Sequence, residues 1–171
     1  MQHKGFEHMP CPIARSLDRV GEWWSILILR DALKGMTRFD QFQKSLGIAP
    51  NMLTRRLTTL VESGLLERQL YSEKPPRYEY VLTPKGRDFR PVLWALIAWG
   101  NKHFPPEGET MVVVDAETGE EADPVFVDGR TGRVLRTPEF KVTNVPVSRS
   151  TDVTGAPKSR SAQHKKVGSP S

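Results

Sequence analysis

Cysteine occurs once in this sequence, at Cys11. A single thiol excludes a disulfide within the chain and any zinc site built from several thiolates, and it fits a reducing compartment. Histidine is nearly as scarce. His3, His8, His103 and His164 are scattered, with no i,i+4 pair and no carboxylate companion, so neither a metal centre nor a catalytic triad is expected. A glycine-rich phosphate loop and a nucleophile elbow are also missing, and both are common signs of catalysis. The expectation is a protein that is not an enzyme and carries no metal or cofactor. Long apolar runs are lacking too. The N-terminal MQHKGFEHMPCP has no signal-peptide core, and the most apolar stretch, WWSILIL, falls far short of the ~20 residues that span a bilayer. A cytoplasmic protein with no membrane partner is expected.

What is present suits one main domain with an appendage: 171 residues, 37% hydrophobic and 26% charged. The net charge of +5 and a pI near 9.5 favour a polyanionic partner, because Lys and Arg beside phosphates release condensed counterions. The excess is unevenly placed. From Val147 onward Arg149, Lys158, Arg160, Lys165 and Lys166 face Asp152 alone, so most of it lies in the tail and any binding face in the fold must be local. The tail itself is read as a solvated charge run with no specific role.

Local patterning supplies the elements. Ile13, Leu17 and Val20 recur at helical spacing between Pro12 and Gly21, which predicts a short first helix. Trp23, Ile26, Leu27, Leu29 and Leu33 give the next helix an apolar surface broad enough to be central. Thr37 is the expected cap of a third helix, whose Phe39, Phe42 and Leu46 form its buried stripe up to Gly47. After a tight connection, Leu53, Leu57, Leu60 and Val61 share one face of a fourth helix that opens at Pro50 and stops at Gly64. Alternation through LLERQLY and YEYVLT then predicts a β-hairpin whose SEKPPR loop projects as a charged tip. Thr83 and Pro84 start a further helix expected to run several turns through Pro91. Its Phe89, Leu93, Leu96, Ile97 and Trp99 offer more apolar surface than a small domain covers, and Phe89, Leu93, Leu96 and Ile97, with Ile13 and Leu17 of the first helix, are assigned to a homodimer interface. Trp23, Trp24, Trp94 and Trp99 are read as core, with a ligand pocket between the dimer helix and the core as the other reading.

The third and fourth helices form a helix-turn-helix, and the hairpin that follows is its wing. Opposite the leucine row, Asn51, Arg55 and Thr58 share a stripe flanked by Thr54 and Arg56. Asn pairs with adenine and Arg with guanine through two hydrogen bonds, while hydroxyls and helix starts suit phosphates. Taken alone, such a stripe is the solvated face of any amphipathic helix. Joined to the turn before it and the cationic hairpin after it, the stripe points to a recognition helix in a major groove. Lys74 and Arg77 of the wing would touch an adjacent minor groove or backbone, and Arg38 would hold a phosphate.

Three segments, CPIARSLDRVGEWWSILILRDAL, TRFDQFQKSLGIAPNMLTRRLTTLVESGLLER and KPPRYEYVLTPKG, resemble the HxlR-type transcription regulators, winged-helix proteins of MarR-like architecture. The resemblance implies a mainly α fold with a β-hairpin wing, and a homodimer on a pseudo-palindromic double-stranded operator. It also implies that Cys11, ahead of Pro12 where a helix dipole favours an anion, matches a cysteine that some members use as a redox or electrophile sensor; the bland reading is a small, buried, inert thiol in the dimer interface. The effector, if any, is unknown. Two other readings stay open: a winged helix used for protein contact without specific DNA readout, and a thiol-dependent enzyme that works through Cys11.

The expected organisation is an N-terminal arm over 1–10, the winged helix-turn-helix over 11–105, a β appendage over 106–145 and a disordered basic tail over 146–171. In the appendage, two copies of D-x-x-T-G, at Asp115/Thr118 and Asp128/Thr131, predict a pair of short hairpins. Where the resemblance implies paired turns that carry cysteines, these residues are poor zinc ligands, so the turns are expected without metal.

Overall fold

The computed structural model describes residues 11–104, 107 and 111–143; the arm over 1–10, the tail over 146–171 and three of the four histidines lie outside them. By packing, the chain divides into Met1–Phe126 and Val127–Ser171.

In the first unit, α1 (Pro12–Val20) begins at the proline and α2 (Trp23–Leu33) follows at once. Apolar nearly all round, α2 occupies the centre, with Ile28 and Leu29 fully buried. Helix α3 (Phe39–Leu46) starts one residue later than expected. Gln41, rather than Thr37, closes that start, its side-chain oxygen accepting the Thr37 and Arg38 N–H groups at 3.0 and 2.9 Å. A Gln at the third helical position reaches back to just those donors. Gly47, at φ 61°, turns the chain, buried Ile48 anchors the turn, and Pro50 opens α4 (Pro50–Glu62). Phe42 of α3 and Leu53, Leu57 and Leu60 of α4 are fully buried with α2 in one core.

Strands β1 (Leu66–Glu73) and β2 (Pro76–Leu82) form the wing, antiparallel, with Leu66 opposite Leu82 and Glu73 opposite Pro76. Its tip is therefore tighter than the SEKPPR loop expected, because an irregularity at Tyr71 lets Ser72 and Glu73 rejoin the ladder against Arg77 and Pro76. The chain before α3 adds one rung to the outer strand, where Tyr80 N–H donates to Thr37 C=O at 2.7 Å and Arg38 pairs with Glu79.

The long helix expected from Pro84 is two helices, α5 (Pro84–Arg87) and α6 (Arg90–His103). Pro91 lacks an N–H, and within a continuous helix its ring would clash with the carbonyl four residues earlier. It is tolerated here in the first turn of α6. Thr83 caps α5, its hydroxyl oxygen accepting Gly86 N–H at 3.0 Å and its proton going to Gly64 C=O at 2.7 Å. This draws α5 so close to the turn before β1 that a Cβ on Gly86 would collide with the Leu65 carbonyl oxygen. Gly86→Ala is expected to cost about 1–3 kcal/mol in urea unfolding, the usual cost of overfilling a packed site.

Of the four tryptophans read as core, only Trp24 packs against it. Trp23, Trp94 and Trp99 are exposed, at 75%, 40% and 56%. An apolar face at helical spacing is buried only if another element covers it, and among the described residues none buries these three.

Of the two expected short hairpins, one falls in each unit, and each is reduced to a single rung, Val114 with Glu121 and Val127 with Val134. The exposed valines lack a packing surface that would extend either ladder. The turns match expectation: Gly119 and Gly132 adopt φ 75° and 69°, which suit glycine. In the first unit, Asp115 Oδ1 accepts Glu117 and Thr118 N–H at 2.8 and 2.9 Å, and these bonds, Thr118 foremost, hold its carboxyl below the ordinary range. In the second, the Thr131 hydroxyl donates to Asp128 Oδ2 at 2.7 Å and lowers that carboxyl likewise.

Candidate nucleic-acid interface

Helix α4 has two faces because its apolar residues recur every three or four positions. At ~100° per residue, Leu53, Leu57 and Leu60 turn inward, while Asn51, Arg55 and Thr58 fall within an arc of roughly 60° on the far side. All three are exposed.

Local bonds set how these groups are offered. Asn51 Oδ1 accepts Met52 N–H at 2.8 Å, which holds the amide at the helix start and leaves its NH₂ outward. Thr54 Oγ1 donates to Pro50 C=O at 2.9 Å and Thr58 Oγ1 to Thr54 C=O at 3.0 Å. With each hydroxyl proton spent on the helix, the oxygen lone pairs and methyl groups face out, an arrangement suited to base-edge donors and thymine methyls more than to phosphate. Arg55 adds an exposed guanidinium to the same arc.

Arg56 is not part of this arrangement. Its Nη2 lies 3.0 Å from Glu22 Oε2, and its side chain is only 12% exposed. The 100° step that sets Arg55 beside Asn51 carries Arg56 to the edge of the leucine row, where it ties α4 to the residue capping α2. The expectation that Arg56 flanks the binding stripe is corrected accordingly.

Lys74 and Arg77 are exposed at the wing tip, as expected. Arg38 is exposed and caps α3, with its guanidinium 4.8 Å from the Tyr71 ring centre, so it leans on the wing. A contact that sequence reasoning missed lies on the wing itself, where the Arg68 guanidinium stacks 3.5 Å from the Tyr78 ring. Only the strand register, which sets Leu70 opposite Tyr78 and Arg68 opposite Tyr80, brings that diagonal pair together.

The residues assigned to a dimer interface separate into two groups. Ile13, Leu17 and Leu96 are exposed, at 70%, 50% and 44%. Leu93 is buried and Phe89 packs against the core, so these two serve the protomer, while Ile97 is half-buried. Val92 joins Leu96 and Trp99 on the outer face of α6, again within an arc of roughly 60°, and all three are exposed. Cys11 is an exposed free thiol at the N-cap of α1, without a side-chain capping bond.

Among the described residues no cluster of His, Cys, Asp and Glu is arranged to hold a metal, and no helix is long and apolar enough to cross a membrane.

Residues 19–108 match the family model described as HxlR-like helix-turn-helix. An uncharacterized HTH-type transcriptional regulator of Mycobacterium tuberculosis, Rv3095, is 41% identical over 124 residues, covering 72% of this chain and 78% of that one. A solved structure of a transcription-factor candidate from Pseudomonas aeruginosa, PA1374, is 53% identical, with a TM-score of 0.60 over 82% of this chain and 96% of that one. The redox regulator HypR in its reduced form is 31% identical, with a TM-score of 0.51 over 54% of this chain and 95% of its own.

Proposed function

The chain belongs to the HxlR-like helix-turn-helix family of transcriptional regulators, and we propose that it binds a specific pseudo-palindromic DNA operator as a homodimer. The observation that carries this reading is the exposed arc of Asn51, Arg55 and Thr58 on a helix whose opposite face is fully buried, followed in the chain by a hairpin whose tip exposes Lys74 and Arg77. Base edges are read by Asn51, Thr54, Arg55 and Thr58, and Arg38, Lys74 and Arg77 meet the backbone. A second copy covers Ile13, Leu17, Val92, Leu96 and Trp99, which would otherwise leave a row of large apolar side chains in water. Pairing by a two-fold axis also sets two recognition helices against half-sites about one helical turn apart. Cys11 is the thiol through which an oxidant or electrophile would act, and the likeness to the redox regulator HypR supports that assignment.

Fluorescence anisotropy against duplexes tiled from DNA flanking the coding region tests the whole reading. One duplex is expected to bind ~10³-fold or more tightly than a scrambled control, with two chains per duplex, and alkylation of Cys11 is expected to shift that affinity in the wild type and not in Cys11→Ser. Binding that is weak, steep in salt and indifferent to sequence would overturn specific readout. It would favour a winged helix that serves a protein partner.

A further inference from the structure

We propose that the cleft between α2, α6 and the segment 111–114 binds a small organic carboxylate with a flat apolar body. The cleft encloses about 350 Å³, within the ~300–1,000 Å³ usual for small-molecule sites. Half-buried Leu33, Ile97 and Val112 line it together with the exposed indole of Trp94.

Its charge is of one sign, from Arg30, Lys34 and Arg90. Arg30 is already committed, since its Nε and Nη2 donate to buried Asp31 Oδ1 at 2.9 and 2.8 Å. Lys34 and Arg90 are exposed and have no carboxylate within ion-pair distance among the described residues. Arg90 is the first residue of the 14-residue α6, whose first turn contains no acidic side chain, so the positive end of the helix dipole adds to its charge. A cavity with an apolar lining and uncompensated cations is matched by an anion with an apolar body. The carboxylate meets Lys34 and Arg90 in charge-assisted hydrogen bonds, and the ring lies against Trp94.

Two other cavities fit less well. The cleft of about 420 Å³ farther along α6 sets Lys102 against Glu121 and Asp123, so its lining is net negative and does not suit an anion. The groove of about 360 Å³ beside α1 combines Arg15, Arg19 and Lys85 with Asp88, so a carboxylate already stands among its cations. The wall of the chosen cleft over 111–114 lies beyond residues 19–108 of the family match and is held on α6 by Asn101 Nδ2 donating to Met111 C=O at 2.9 Å.

Equilibrium dialysis of the full chain against 2-naphthoate tests the proposal without reference to DNA. Naphthoate is expected to bind saturably with one equivalent per chain, while neutral 2-naphthamide and inorganic phosphate bind roughly tenfold or more weakly. Lys34→Gln combined with Arg90→Gln is expected to weaken naphthoate by roughly tenfold or more, the usual scale for losing hydrogen bonds to a charged group. Thermal unfolding should be unchanged, because both side chains are exposed. As a second variant, Val112→Trp fills the cleft with every cation intact and is expected to abolish binding. Equal affinity for the amide, no saturable binding of naphthoate, or affinity undiminished in either variant would overturn the proposal.

Discussion

Phe42→Ala is expected to lower the unfolding free energy by about 3–5 kcal/mol, the range for removing a large buried aromatic side chain. Phe42 is fully buried in the core that α3 shares with α2 and α4, in one cluster with Ile28, Leu29, Leu53 and Leu57. Alanine would leave a void that helices joined by short turns close only in part, so lost contacts add to lost burial. Natural domains hold only ~5–15 kcal/mol in all. The variant is therefore expected to populate its unfolded state well below the denaturant concentration that unfolds the parent. Urea unfolding followed by circular dichroism checks this, at matched protomer concentration because association adds to apparent stability. A change under about 1 kcal/mol would mean that α3 is not held by this core.

Asn51→Ala combined with Arg55→Ala is expected to act on recognition instead of folding. Each two-bond contact to a base is worth ~1–3 kcal/mol. Losing both should weaken binding to the preferred duplex by roughly 30-fold to 10⁴-fold, with a smaller loss on a scrambled duplex. Both side chains are exposed, and the one local bond lost is Asn51 Oδ1 with Met52 N–H, so the stability change should stay near 1 kcal/mol. The measurement is the ratio of the two affinities, because weaker binding to both duplexes alike is what losing a phosphate contact produces. An unchanged ratio would remove α4 from base readout.

These predictions rest on features of unequal legibility. The two faces of α4 could be read directly, since periodicity is local and a helix converts spacing into direction. The same geometry also held the correction for Arg56: neighbouring arginines are alike in composition, but the step between them separates an exposed cation from one against Glu22. Pro91 carried a signal too, because a proline well inside an apolar run marks a new start as readily as a tolerated interruption. The wing was legible as a hairpin, but not its register. Whether Ser72 and Glu73 belong to the turn or the ladder depends on an irregularity at Tyr71 that composition does not mark. The Arg68–Tyr78 stack follows from that register.

Sequence by itself determined the order of the helices and the hairpin, the outward stripe of Asn51, Arg55 and Thr58, and the Asp-capped turns at Gly119 and Gly132. All of these depend on neighbours a few positions apart, where backbone geometry does the deciding. Only the tertiary structure decided that Trp24 joins the core while Trp23, Trp94 and Trp99 stay exposed, and that Leu93 serves the protomer while Val92 faces outward. It also brought the segment 111–114 to α6, closing a cavity beside Lys34 and Arg90. Periodicity says that a face is apolar. Burial requires a second surface, and that surface comes from a part of the chain whose position no local pattern encodes.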